Sequence, residues 1–397
     1  MQTVNAAIER LVEQHLGETF PACTLAVVRG EETVLEAAWG DVEGAAATTA
    51  TLFDLASVTK LFTVTTFLSI ISAGGRPLET LHEPLVQFVP AFGKVNPREI
   101  DGEQNPHTRV RSPAPPERVG ETVNVDEVTL WHLLTHTSGL PAWRDVFNAA
   151  GTAPPPPDEA DSMGREARWQ AGLRALCHYD FVGQPGERVI YSDVGLMLLG
   201  EVTAQLGGKP LEQLIGERTL AAGGMQHTLF NPVREGGLPR EASAPTEFDE
   251  LWRRRRAWGE VHDENACGVG GVSGHAGLFG TAGDVARLGV GWLNDPTAIF
   301  GIDERLAAMA VTEQAASESA RRGLGFALKT AHESPAGDVM SGRTFGHTGF
   351  TGTSLWVDPT RELVVACLTN RVYRGRHYEG ILPFRRALHD LIAQAVD

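Results

Sequence analysis

The chain has 397 residues, of which 42% are hydrophobic and 21% charged, and its formal net charge is -16. That length holds two or three average domains, or one large two-lobed unit with an ample core, and the composition is that of a soluble globular protein. The acidic balance argues against nucleic acid or an anionic membrane surface as a partner.

Met1 to Gly17 sets Val4, Ile8, Leu11, Val12 and Leu16 on one helical stripe with Glu9, Arg10 and Glu13 between them. The apolar region of a signal peptide would not carry those charges, and no run approaches eighteen apolar residues, so a cytoplasmic protein without a membrane span is expected. Thr24 to Val28 and Thr33 to Trp39 flank Arg29-Gly30-Glu31-Glu32 and read as a β-hairpin. Leu61 to Leu68 reads as a mostly buried helix ending near Gly74-Gly75, and Leu85 to Val89 as a brief one. Residues 94–123, with five prolines and no periodicity, form a long loop.

Val128 to Leu140 reads as a short helix closed by Gly139. His132 and His136 stand four apart within it, but no Glu intervenes in the H-E-x-x-H manner and no third ligand is evident, so no metal is expected. Glu166 to Cys177 is helical, and Tyr191 and Asp193 sit on a turn before the apolar helix Leu196 to Gly200, where Asp193 is a candidate cap. Arg253-Arg254-Arg255-Arg256 reads as a solvated face. The segment Gly259 to Gly280 matches neither G-x-G-x-x-G nor G-x-x-x-x-G-K, so it reads as backbone lining a cleft. Thr281 with Asp284 starts a helix bearing Val285, Leu288 and Trp292. Phe345 to Thr348, Ser354 to Val357 and Leu363 to Leu368 read as antiparallel strands, and Leu382 to Ala395 as the last helix. The four cysteines (Cys23, Cys177, Cys267, Cys367) are far apart without a C-x-x-C pair, which indicates neither a disulfide framework nor a zinc site.

The expected fold is therefore mixed α/β (α+β), with an antiparallel sheet built from both termini and flanked by helices, plus an inserted helical lobe. Residues 1–75 and 275–397 would form the sheet lobe and 76–274 the mainly helical one, with a cleft between them.

Chemistry concentrates at Ser57-Val58-Thr59-Lys60. Positions i and i+3 share a helix face, so an amine at Lys60 can reach the hydroxyl of Ser57. Fourteen serines and four lysines give only about 0.14 chance occurrences of S-x-x-K. A serine hydroxyl needs a neighbouring base, and a lysine serves only if its pKa falls by about three units, which demands burial or nearby positive charge. A helix start also offers free N–H groups to a developing oxyanion.

Ser57-Val58-Thr59-Lys60, then Tyr191-Ser192-Asp193, then His347-Thr348-Gly349 resembles the penicillin-recognising serine hydrolases, in particular the class C β-lactamase, D,D-peptidase and esterase branch. Leu134 to Leu140 and Gly346 to Gly352 are also typical of that branch, and the likeness spans nearly the whole chain. It implies acylation of Ser57, proton transfer through Lys60 and Tyr191, Asp193 and His347 as further catalytic residues, an oxyanion hole from the backbone N–H groups of Ser57 and Phe350, and substrate contacts from Thr348 and Gly349. It implies no metal and no cofactor, and a small ester, amide or β-lactam as the partner.

Two departures stand out. The middle motif usually ends in Asn and here has Asp193; the third often begins with Lys and here begins with His347. Each makes the cleft more negative by about one charge, which favours an esterase or amidase for weakly charged acyl substrates over a β-lactamase or a D-Ala-type carboxypeptidase or aminopeptidase. Asp193 should also raise the pKa of Lys60 and move base duty toward Tyr191. A sensor that is acylated without turnover and a non-catalytic relative are the readings of another class.

Overall fold

The computed structural model describes residues 2–106, 108–377 and 379–396. Its first helix, α1 (Gln2–His15), buries Ile8 and Val12 as the stripe requires, while the side chain of Val4 lies outside the described residues. Among the described residues, nine strands form one antiparallel sheet. They are β1 (Ala22–Arg29), β2 (Glu32–Val42), β3 (Ala45–Ala46), β4 (Ala315–Ala316), β5 (Arg321–Arg322), β6 (Ala327–Leu328), β7 (Phe345–Thr348), β8 (Ser354–Asp358) and β9 (Leu363–Thr369). Their order across the sheet is β4-β5-β6-β7-β8-β9-β1-β2-β3, so both ends of the chain meet where β9 pairs with β1. Val27 opposite Val365 and Leu25 opposite Cys367 show why: both strands are apolar on both faces and can only be central.

Two helical layers cover those faces. α1 and the C-terminal helix (Ile381–Val396) close one side over Leu25, Trp356 and Val365. On the other side the helix Ala282–Asn294 lies on β9 and β8, capped by the Thr281 hydroxyl, which accepts from the Asp284 N–H. The same core runs without a break from Ala26 and Val364 to the helices Thr59–Ala73 and Asp193–Gly207, which pack together. Thr59–Ala73 with its preceding turn is apolar enough to cross a bilayer by length and composition, yet 83% of that stretch is buried inside the protein. It is the central core helix here.

Three local expectations are corrected. The helix expected over Val128–Leu140 stops at Leu134, and Gly139 is not its cap. Gly139 has φ +71, and a Cβ there would stand 2.1 Å from the Gly183 carbonyl oxygen, so close backbone approach explains the glycine. Asp193 is not a cap either, because the Ser192 hydroxyl accepts from the Gly195 N–H and the Asp193 carboxylate faces Lys60 instead. The arginine run is no solvated face: Arg253 is buried and donates to the Val261 carbonyl at 2.6 Å, and Arg255 pairs with Glu260 at 2.7 Å. Only Arg254 is exposed.

Candidate functional site

Ser57 occupies a 3-10 turn (Ala56–Val58) that feeds directly into the helix Thr59–Ala73. Ala56, just before it, has φ 46, a strained value for a residue with a Cβ. Several ties hold it there. The Asp54 carboxylate accepts from the Ala56 N–H at 2.8 Å and from the His262 N–H at 2.6 Å. The Thr351 hydroxyl donates to the Asp54 carbonyl at 2.7 Å, and the Thr353 hydroxyl to the Leu55 carbonyl at 2.9 Å. The serine is thus presented by a turn bolted to the segment after β7.

One helical turn on, Lys60 is wholly buried. Its Nζ donates to Ser57 Oγ at 2.7 Å and to the His275 carbonyl at 3.1 Å, and stands 2.8 Å from Asp193 Oδ1. Burial alone would lower the pKa of Lys60, but the charge of Asp193 and the nearby Tyr191 hydroxyl outweigh it and the net shift is upward. The route to a neutral lysine base, which needed a fall, is therefore closed while Asp193 is ionised.

Tyr191 lies over this group, its ring centroid 4.9 Å from Lys60 Nζ, with His136 at 4.7 Å and His347 at 5.7 Å between ring centroids. Its hydroxyl is buried and near enough to Ser57 and Lys60 for both to favour its ionisation, yet makes no aligned hydrogen bond. Burial pushes its pKa up, and Asp193 adds to that. His347, on β7, turns Nδ1 to the Thr348 carbonyl at 2.8 Å, so that nitrogen carries the proton. Burial, with Arg322 and Lys60 nearby, holds its pKa well below the usual value and keeps it neutral.

Two cavities, of about 740 Å³ and 240 Å³, meet at Ser57, Tyr191 and Phe350. The larger is walled by His347, Thr348 and Gly349 and the smaller by Asp193, Asp263 and His275. All eight residues picked from the motifs therefore gather around one hydroxyl. Gly349 fits because nothing larger would: a Cβ would stand 2.1 Å from Thr353 Oγ1 and 2.6 Å from the Leu55 carbonyl oxygen.

Sequence reasoning missed four participants. Asp54 braces the strained turn, as an Asp two residues before the tied N–H often does. His275 offers its carbonyl to Lys60 and its Nε2 to Asp263 at 2.9 Å. Asp263, although burial opposes it, is held well below the usual carboxylate range by His275 and the Ala266 N–H. Arg322, from β5, sets its guanidinium carbon 5.1 Å from the Tyr191 ring centroid. Among the described residues, ligand atoms of Asp193, Asp263 and His275 lie within 4.8 Å of one another, an arrangement able to hold a cation. The Lys60 ammonium already stands against Asp193. His132 and His136 do not act as a pair: His132 Nδ1 accepts from the Thr129 N–H and His136 Nδ1 from the Ser192 N–H. The four cysteines are free and buried, and burial lifts the Cys177 thiol to about 11.

The chain is similar to several known proteins. A protein of Escherichia coli strain K12 named "Putative D-alanyl-D-alanine carboxypeptidase" is 29% identical over 391 residues, covering 92% of this chain and 81% of that protein. Among solved structures, EstCE1, a hydrolase with promiscuous acyltransferase activity, superposes with a TM-score of 0.69 at 20% identity over 99% of both chains. The octameric penicillin-binding protein homologue from Pyrococcus abyssi does so with 0.68 at 19% identity, over 98% of this chain and 77% of that one. The Beta-lactamase family model matches residues 8–388, and the chain belongs to that family of penicillin-recognising serine hydrolases.

Proposed function

We propose that the chain hydrolyses a small ester or amide through a covalent acyl-enzyme on Ser57. The single observation that carries this reading is the line Asp193–Lys60–Ser57, with 2.8 Å and 2.7 Å contacts, buried at a junction of two cavities.

In this mechanism Ser57 Oγ attacks the substrate carbonyl carbon while its proton passes to Tyr191 in its ionised form, a form that burial opposes and the Lys60 ammonium, 4.9 Å from the ring centroid, favours. Lys60, charged because of Asp193, orients the hydroxyl rather than deprotonating it. The oxyanion is received by the backbone N–H groups of Ser57 and Phe350, a device worth about 3 kcal/mol per donor. Collapse of the tetrahedral intermediate breaks the bond to the leaving group, which takes the proton back from Tyr191. Water then attacks the ester carbonyl with Tyr191 again accepting a proton, which it returns to Ser57 Oγ as the acyl–oxygen bond breaks and the acid leaves.

The buried, neutral His347 supports weakly charged acyl substrates, because no ammonium stands at the start of the third motif to meet a substrate carboxylate. D-alanyl-D-alanine carboxypeptidase activity, the name borne by the relatives, is the alternative. Steady-state turnover of a p-nitrophenyl ester and of a chromogenic cephalosporin separates the two. The ester should be the faster substrate, and His347→Lys should raise cephalosporin turnover by about fivefold, the worth of roughly 1 kcal/mol of added charge contact. A fast wild-type cephalosporinase, or no response to the new lysine, would overturn the substrate preference.

A further inference from the structure

The charges around Tyr191 do not balance. Lys60, from the core helix, is matched at 2.8 Å by Asp193. The two imidazoles packed on the phenol ring contribute nothing, since burial, with Arg322 and Lys60 nearby, keeps both His136 and His347 neutral. What remains is Arg322, whose guanidinium always carries its proton.

Among the described residues no carboxylate pairs with Arg322, and its Nε and Nη1 are sealed from solvent without a hydrogen-bond partner. Its neighbour on β5, Arg321, points the other way and is satisfied by Glu313 at 2.5 Å and the Lys329 carbonyl at 2.7 Å. Strand alternation thus sends one arginine out to a partner and the other in to none. A half-buried cation with two donors unsatisfied is costly, and a fold keeps one where its charge is put to use. Arg322 is half-buried and lines the larger cavity beside Ser57 and His347, with Nε and Nη1 turned away from solvent. The nearest group able to become an anion is the phenol beneath, 5.1 Å from the guanidinium carbon to the ring centroid.

We propose that Arg322 is the positioning charge that favours the ionised form of Tyr191, supplying from a sheet strand the positive charge that the His347 position of the third motif does not give. The proposal rests on Tyr191 acting as the proton carrier. It assigns Arg322 no contact with substrate. In this arrangement burial and Asp193 oppose ionisation, Lys60 works against them, and Arg322 adds a second positive charge.

Two readouts test it in the full chain. The chain has four tyrosines, so the phenolate absorbance of Tyr191 is isolated as the difference between each protein and its Tyr191→Phe counterpart. In Arg322→Met this titration should move to higher pH, and kcat/KM for a neutral p-nitrophenyl ester at pH 7.5 should fall about tenfold or more, converging with wild type at alkaline pH. Arg322→Lys should restore most of both, and serves as the test variant should the methionine variant fail to fold. A phenolate titration and pH profile that superimpose on wild type, whatever the loss of rate, would overturn the proposal. So would a loss confined to the KM of esters bearing a carboxylate, which would make Arg322 an anion anchor instead. If Tyr191→Phe retains full activity while Arg322→Met still moves the titration, the fault lies with the role given to Tyr191 in the mechanism.

Discussion

Replacing Asp193 by asparagine keeps the shape of the side chain and removes one charge 2.8 Å from Lys60 Nζ. Coulomb's law puts that contact at about 1.5 kcal/mol with the dielectric of water and about 6 kcal/mol with an effective dielectric of 20. The Asp193 side chain is 20% exposed, so the true value falls between these limits. Asp193 raises the pKa of both Lys60 and Tyr191, and its removal lowers both. The two groups titrate as a unit, and the reactive form is the one short of a proton. The rising limb of kcat/KM against pH for a neutral ester must then move to lower pH in Asp193→Asn. At a fixed pH on that limb the reactive fraction rises at least about tenfold, the equivalent of the lower limit. A base of lower pKa is also intrinsically weaker, which takes back part of the gain in rate. The position of the limb, not its height, is therefore the readout. A limb that stays in place or moves to higher pH would refute the electrostatic reasoning.

Gly349→Ala forces a methyl group against Thr353 Oγ1 and the Leu55 carbonyl, both part of the bracing of the serine turn. Overpacking of this kind costs about 1–3 kcal/mol, to be read by denaturant unfolding, and esterase activity should fall far more than stability; an alanine variant with wild-type kinetics would contradict the bracing. His389 is wholly buried, and burial lowers its pKa to about 4 from 6.5. The folded state holds it neutral while the unfolded chain takes up a proton below pH 6.5, so stability is lost as pH falls from about 6.5 toward 4. That loss is about 2 kcal/mol by pH 5, and unfolding of His389→Gln at pH 7 and pH 5 should show a correspondingly smaller decline.

The reach of the sequence followed the range of the forces involved. The hairpin β1–β2, the strands β7 to β9 and the terminal helices announce themselves by local periodicity and length. The two-residue strands β4, β5 and β6 have no such pattern, since two residues cannot establish an alternation, and they exist because the sheet edge beyond β7 needs partners. Ser57 and Lys60 are legible because a helix brings i and i+3 together. Tyr191, Asp193 and His347 are legible only through the motif resemblance. Arg322 on an unforeseen strand, Asp263 and the His275 carbonyl meet the site through tertiary packing alone. The charge count over the motifs therefore missed the Arg322 guanidinium beside Tyr191.

The central claim is that Ser57 forms a covalent bond during turnover. Intact mass after exposure to a fluorophosphonate and to penicillin, with peptide mapping of any adduct, tests it most directly. The account predicts one phosphonyl group on the peptide containing Ser57 and none on Ser57→Ala, with ester hydrolysis lost in the same variant. An adduct at another residue, or ester turnover that survives in Ser57→Ala, would contradict it.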